Sequence, residues 1–168
     1  MAYEYKTKPY QHQSDVLKRC WNKVNWAFLM EMGTGKSKVC IDNAGILYEK
    51  GEIDTLIVIA PKGVYRNWAN QEIPAHLPDR IKHQVAVWNP SVTKGNKTML
   101  KEFLAPSEEL RVFLMNVEAL STEKGKKYLQ ALLKTSTALL AVDESTAIKS
   151  PKARRTKALI KIGKLAKY

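Results

Sequence analysis

The sequence predicts an α/β fold, a mostly parallel central sheet flanked by helices. Three observations carry this. Short apolar runs alternate with stretches of helical periodicity along the whole chain, the pattern of β-α units rather than hairpins. One run, Thr55-Leu56-Ile57-Val58-Ile59-Ala60, is β-branched and apolar on both faces, as a strand in the middle of a parallel sheet must be. Two further runs lead into chemistry-bearing loops. Residues 26–30 precede Gly33-Thr34-Gly35-Lys36-Ser37, and residues 138–142 precede Asp143-Glu144. Loops at strand ends are where such sheets place ligands.

Taken in order, residues 1–9 read as an irregular lead-in ending at Pro9. Over 10–24, Val16, Leu17, Cys20, Trp21 and Val24 recur at helical spacing. Residues 26–30, Trp-Ala-Phe-Leu-Met, read as a buried strand. Residues 36–50 read as a helix with Val39, Cys40, Ala44 and Leu47 on one stripe and Gly51 as its stop. A strand over 55–60 is followed by a helix over 64–73 that ends near Pro74. A strand over 84–88, a short helix over 97–104 and a strand over 111–115 come next. Residues 117–134 read as helical with an interruption near Gly125, and 137–142 as a fifth strand. Ser150-Pro151, an N-cap followed by Pro at the first helical position, opens a basic helix to about Ala166. With no repeat and no low-complexity linker, residues 1–168 read as one domain.

Charge is the strongest compositional signal. Lys and Arg number 28 against 16 Asp and Glu, a net charge of +12, and the excess is uneven. From Lys149 to Lys167 there are eight basic residues and no acidic one. Clustered cations of this kind release counterions from a phosphate backbone, so the expected partner is a polyanion. Cys20 and Cys40 lack metal-ligand spacing and fit a reducing, cytoplasmic setting. The first ten residues are polar and carry no signal-type apolar core, and no apolar run is long enough to span a bilayer.

The segment 33–37 has the parts of a phosphate-binding loop. Gly33 and Gly35 let backbone N–H groups close around phosphate oxygens; Lys36 supplies charge for the β and γ phosphates; Ser37 supplies a hydroxyl for Mg²⁺. Met30 stands where the longer form of the motif has its first glycine. Asp143 and Glu144 close an apolar strand 107 residues after Lys36. There Asp143 can reach a Mg²⁺ ion and Glu144 can orient an attacking water. The expected catalytic set is Lys36, Asp143 and Glu144; the nucleotide set adds Gly33, Thr34, Gly35 and Ser37; the metal set is Ser37 and Asp143. ATP and Mg²⁺ are the expected ligands.

At this point the chain resembles the first RecA-like motor domain of superfamily 2 helicases, in particular the Swi/Snf-like translocases and their small phage-type members. Pro9-Tyr10-Gln11-His12-Gln13 resembles the motif that reads adenine, with Gln13 as reader and Gln11 as the alternative. Residues 31–37 resemble motif I. Ala60-Pro61-Lys62 with Asn67-Trp68 and Glu72 resembles motif Ia and its helix. Residues 116–120 resemble the next DNA-side motif. Asp143-Glu144-Ser145-Thr146, then Ile148-Lys149-Ser150, resembles motif II and its tail, with Thr146 at the usual histidine position. The resemblance implies a DNA partner contacted by Lys62, Arg66, Asn116 and Lys149. It also implies a second RecA-like motor domain, whose arginine finger and preceding threonine-rich motif have no counterpart in these 168 residues. Trp68 reads as a core residue, and the basic helix, with Leu159, Ile162 and Leu165, as packed on the sheet. A P-loop phosphotransferase and a non-catalytic basic nucleic-acid-binding module are the competing readings.

Overall fold

The computed structural model describes residues 3–89, 94–144, 150 and 152–168. Its centre is a four-stranded, all-parallel sheet in the order β2-β3-β1-β4. The strands are β1 Thr55–Ala60, β2 His83–Val87, β3 Leu110–Asn116 and β4 Ala138–Val142. The register pairs Thr55 with Arg111 on one side of β1 and with Ala138 on the other. Every residue of β1 is fully buried, which accounts for its unbroken apolar run.

Alternate β1 side chains serve opposite cores. Ile57 and Ile59, with Phe113 and Met115 of β3, meet α5 (Lys94–Glu102), α6 (Glu123–Lys134) and α7 (Arg154–Gly163) through Leu100, Phe103, Leu129, Leu132, Leu159 and Ile162. Leu56 and Val58, with Val112 and Leu114, meet α2 (Lys36–Glu49) through Ile41, Ala44 and Leu47. Each such side chain contributes about 1.5–3 kcal/mol on burial, so the two apolar layers hold the sheet between helices. On the second layer, α3 (Tyr65–Asn67), a π-helical turn Trp68–Glu72 and α4 (Ile73–His76) form one continuous stretch, longer than the expected 64–73. α1 (Gln11–Cys20) lies on α2 through Leu17, Cys20 and Val39.

The expected strand over 26–30 is not formed. Leu29 is 96% exposed and Trp26 45%, and only Phe28 and Met30 turn partly inward, against α1 and α2. The reason is pairing. Among the described residues no strand lies beyond β4, and the start of its outer edge is bonded to the C-terminal residues: Tyr168 N–H to Ala138 O at 3.2 Å and Leu140 N–H to Tyr168 O at 2.9 Å. A backbone without a ladder partner keeps its polar groups in water, so apolar content alone cannot bury it.

Three smaller differences have local causes. The break in 117–134 falls at Thr122, between a 3-10 turn Val117–Ser121 and α6, where the Thr122 hydroxyl accepts from Gly125 N–H at 3.1 Å. Gly125 lies within α6 because a Cβ there would meet Ala119 O at 2.3 Å. α7 starts behind Ala153, not Ser150, and Pro151 is outside the described residues. Its buried set is Thr156, Ala158, Leu159 and Ile162, while Leu165 is exposed.

Arg111, at the start of β3, is the largest fully buried side chain. Its guanidinium donates to Asp54 Oδ1 at 3.0 Å, Ala105 O at 3.1 Å and Thr135 O at 3.3 Å, tying three connections together at the sheet edge away from the strand C-termini. Arg111→Ala takes the guanidinium donor from Ala105 O and Thr135 O, leaves Asp54 Oδ1 with Thr55 Oγ1 and Thr137 N–H, and is expected to lower unfolding free energy by about 3 kcal/mol in urea denaturation. Leu29→Ser, by contrast, should change stability by no more than about 0.5 kcal/mol. A large loss at Leu29 would restore the buried-strand expectation.

Candidate active site

The candidate phosphate loop is held in shape by backbone geometry. Gly33 and Gly35 have φ of 76° and 81°, in the left-handed region that side chains resist. Gly35 is the N-cap of α2, which places Lys36 and Ser37 in its first turn. The first-turn N–H groups of a helix have no intrahelical acceptor and point at whatever sits before it, an anion site by construction. Thr34 Oγ1 closes the loop onto Glu31 O at 2.7 Å, and the Lys36 ammonium curls back onto Met30 O and Glu31 O at 3.1 and 2.8 Å.

Gln13 braces this loop. It is buried, its Nε2 donates to Thr34 O at 3.0 Å, and its Oε1 accepts from Tyr10 N–H at 3.0 Å. A Cβ on Gly35 would come within 2.4 Å of its Nε2. Both ends of the Gln13 amide are thus engaged within the chain. Gln11 is exposed, with its Nε2 donating to Asp15 Oδ1 at 2.9 Å.

Asp143 succeeds β4 in the chain and is fixed at three points. Its N–H donates to Ile59 O at 2.8 Å; its Oδ1 accepts from Glu144 N–H at 2.9 Å; its Oδ2 accepts from the Trp68 indole N–H at 2.9 Å. Glu144 is exposed with φ 52°, the only described non-glycine residue in the left-handed region. Cys40, one turn along α2 from Lys36, has its thiol pushed up to about 12, first by burial and then by the Asp143 charge. The motif II carboxylate therefore lies within electrostatic reach of the helix that carries Lys36 and Ser37. Glu72 is also raised, by burial and then by Asp143. Trp68, read from sequence as core, is 3% exposed as expected, but its indole N–H is bonded to the candidate metal ligand.

Lys62 and Arg66 are exposed beyond the C-terminal end of β1, on the same sheet edge as Asp143. Arg66, Asn70, Trp88 and Asn96 line a cleft of about 240 Å³. Asn116, paired in register with Ala60, is on this edge too, with its amide donating to Glu118 Oε2 at 3.0 Å. Lys149, and with it Ser145 and Thr146, lies outside the described residues.

One group near the loop carried no motif. Lys38 and Asp42, one turn apart on α2, form a buried ion pair at 2.8 Å, and Lys38 also donates to Thr7 O at 2.8 Å. Burial raises the Asp42 carboxyl and the Lys38 hydrogen bond opposes it. Tyr3 packs against Gly45, where any Cβ would meet its hydroxyl at 2.2 Å. The N-terminal segment is thereby strapped to the helix behind the phosphate loop. The i,i+4 spacing of Lys38 and Asp42 was visible in the sequence, but nothing in it marked the pair as buried.

These residues fit a magnesium-nucleotide. Among the described residues no group of three or more His, Cys, Asp and Glu converges as a cation cage. Mg²⁺ is commonly held with one or two protein oxygens and completed by phosphates and water, which is the donor set that Ser37 and Asp143 offer.

Two outcomes test this geometry. Gly35→Ala sets a Cβ at positive φ against Gln13, and is expected to cost about 1–2 kcal/mol in thermal or chemical unfolding. The Cys20 thiol, raised to about 11 by burial, and the Cys40 thiol should resist an aromatic disulfide reagent in the native protein and react on unfolding. Fast titration of Cys40 in the native protein would contradict its burial in α2.

Known proteins share this architecture. The family model described as "Type III restriction enzyme, res subunit" matches residues 6–163. The solved SWI2/SNF2 ATPase core of Sulfolobus solfataricus, in complex with dsDNA, superposes with a TM-score of 0.68 at 17% identity, covering 99% of this chain and 31% of that one. No curated protein matches. The chain spans about a third of that structure's length, and the likeness at this identity is one of fold. With a family match over nearly its whole length and a parallel sheet of RecA-like type, the chain belongs to the type III restriction enzyme res-subunit family.

Proposed function

We propose that this chain is the ATP-binding half of a DNA-dependent, Swi/Snf-like translocase of the phage type. It would bind MgATP at the phosphate loop and a DNA backbone on the adjacent sheet edge. The observation that carries the reading is the fixed Asp143 carboxylate at the C-terminal end of β4, within electrostatic reach of the α2 helix that Gly35 caps. In this reading Lys36 leaves the loop carbonyls to neutralise the phosphates, and the first-turn N–H groups of α2 bind their oxygens. Ser37 and Asp143 would hold Mg²⁺, which would supply neutralisation of phosphate charge. Glu144, exposed beside Asp143, orients the attacking water. Gln13, which braces the loop through Thr34 O, reads the adenine edge, with Gln11, exposed two residues earlier, as the alternative reader.

Lys62 and Arg66 supply phosphate contacts on double-stranded DNA, with Asn116 beside them and Lys149 after motif II. Such contacts give affinity and register without base readout. A second RecA-like domain, in cis or as a separate chain, would close over the phosphates with an arginine worth about 10³ to 10⁵ in rate. The relative in which the fold is seen is itself a complex with dsDNA, and its chain is about three times longer.

The test is a pair of measurements on the 168-residue chain. It should bind a fluorescent ATP analogue with Mg²⁺, and Lys36→Ala should weaken that binding with the circular dichroism unchanged. Its steady-state phosphate release should stay near background with or without DNA, and rise when the second motor domain is supplied. In that completed motor Glu144→Gln should retain ATP and lose turnover. Equal affinity for wild type and Lys36→Ala would remove the phosphate-loop reading.

DNA binding by the chain should fall steeply with salt. Replacing Lys62 and Arg66 by Ala should lower the slope of log affinity against log salt by about 1 to 2. Salt-insensitive or strongly sequence-selective binding would refute a backbone contact.

A further inference from the structure

We infer that Trp68 is a positioning residue that couples the nucleic-acid face to the metal-binding carboxylate, through its indole hydrogen bond to Asp143. The inference rests on the MgATP reading above. A buried indole N–H has to find an acceptor, and most such groups take a nearby backbone carbonyl. Trp68 instead donates to a side chain 75 residues further on, at 2.9 Å. With Glu144 N–H on Oδ1 and Trp68 on Oδ2, each carboxylate oxygen has one protein donor. A carboxylate has about four lone-pair sites, so one direction on each oxygen stays available to a cation or its water. The indole therefore sets the rotation of the Asp143 carboxylate without blocking it.

The segment that carries Trp68 connects to the other face. Arg66 is exposed two residues earlier on the same helical stretch, and Lys62 precedes that stretch. Trp68 opens a π-helical turn, Trp68–Glu72, closed by Ile73 N–H onto Trp68 O. A π turn inserts one residue per turn and rotates the residues after it; such turns recur at functional sites because they re-aim a side chain at a backbone cost. Glu72, at its other end, is held half-buried within the Asp143 field and accepts a long 3.4 Å bond from Asn67. A shift of this stretch when Arg66 engages a phosphate would move the indole, and with it the Asp143 carboxylate. Partners that orient a metal ligand in this way typically change metal affinity about ten- to a hundred-fold when removed.

The experiment uses the whole chain labelled with ¹⁵N-tryptophan. Its four indole signals are assigned by changing Trp21, Trp26 and Trp88 to Phe in turn. The Trp68 indole signal should move on Asp143→Asn, on adding Mg²⁺ with a non-hydrolysable ATP analogue, and on adding short duplex DNA alone. Arg66→Ala should abolish the DNA response and keep the nucleotide response. Trp68→Phe preserves an aromatic ring and removes the donor. It should raise the Mg²⁺ concentration for half-maximal analogue binding about ten-fold, with analogue binding in chelator unchanged. An indole signal indifferent to both Asp143→Asn and DNA overturns the inference, and this arm needs no folded Trp68 variant. An unchanged Mg²⁺ midpoint in folded Trp68→Phe overturns it as well, while leaving the MgATP reading intact. Failure of the wild-type chain to bind the analogue at all removes the MgATP reading and this inference with it.

Discussion

The burial of β1 on all four sides is the constraint on which the rest of the molecule depends. A strand with no exposed residue needs a ladder partner on each edge and an apolar layer on each face. The chain supplies β3 and β4 for the edges, and two helical layers for the faces. Because the sheet is parallel, every strand must leave at the same edge and return by a crossover. Lys62, Asn116 and Asp143 therefore emerge together, although they are far apart in sequence. The same constraint sets Asp143 itself, whose N–H continues the ladder onto Ile59 O.

The two ends of the sheet solve different electrostatic problems. At the edge where strands begin, the buried Arg111 directs its donors to Asp54 and two carbonyls, and ties the connections together. At the edge where they end, the charges are left incompletely satisfied. Among the described residues Lys36 bonds carbonyls of its own loop, Glu144 is exposed at a positive φ, and Arg66 borders an open cleft. The buried Arg111 stabilises by joining connections; exposed groups at the other end can act on a ligand. The polarity of the parallel sheet separates the two.

The candidate phosphate loop is supported from behind by distant parts of the chain. Gln13 from α1 holds Thr34, and the strap through Thr7 and Tyr3 is pinned by Lys38 and against Gly45. Two of these contacts leave no space for a side chain, at Gly35 and Gly45, so the glycines are required by neighbours as well as by φ at Gly35. The segment 26–30, which as a strand would supply such support, is instead largely open to solvent. The loop thus depends on α1 and the strap to a degree that a strand-supported loop would not.

By itself the sequence determined the α/β class, the central place of β1 and the extent of α2, and it singled out the candidate loop and acid pair. Each of these rests on local information: an unbroken β-branched run, a glycine stop at Gly51, and short motifs whose residues are adjacent in the chain. It placed Trp68 in the core from its helical spacing, and this also holds. Only the tertiary structure decided what pairs with what. Residues 26–30 have the composition of a buried strand, yet a strand is buried by its neighbours, and composition does not name them. Gln13 and Gln11 are chemically identical, and only the position of Thr34 O decides which amide is engaged with the loop. Likewise the partner of the Trp68 indole, the burial of Lys38 with Asp42, and the anchoring of Arg111 join residues separated by a helical turn to 75 positions. Periodicity reports which face a side chain is on; hydrogen bonds between distant segments are set by the packing of whole layers, which no local pattern encodes.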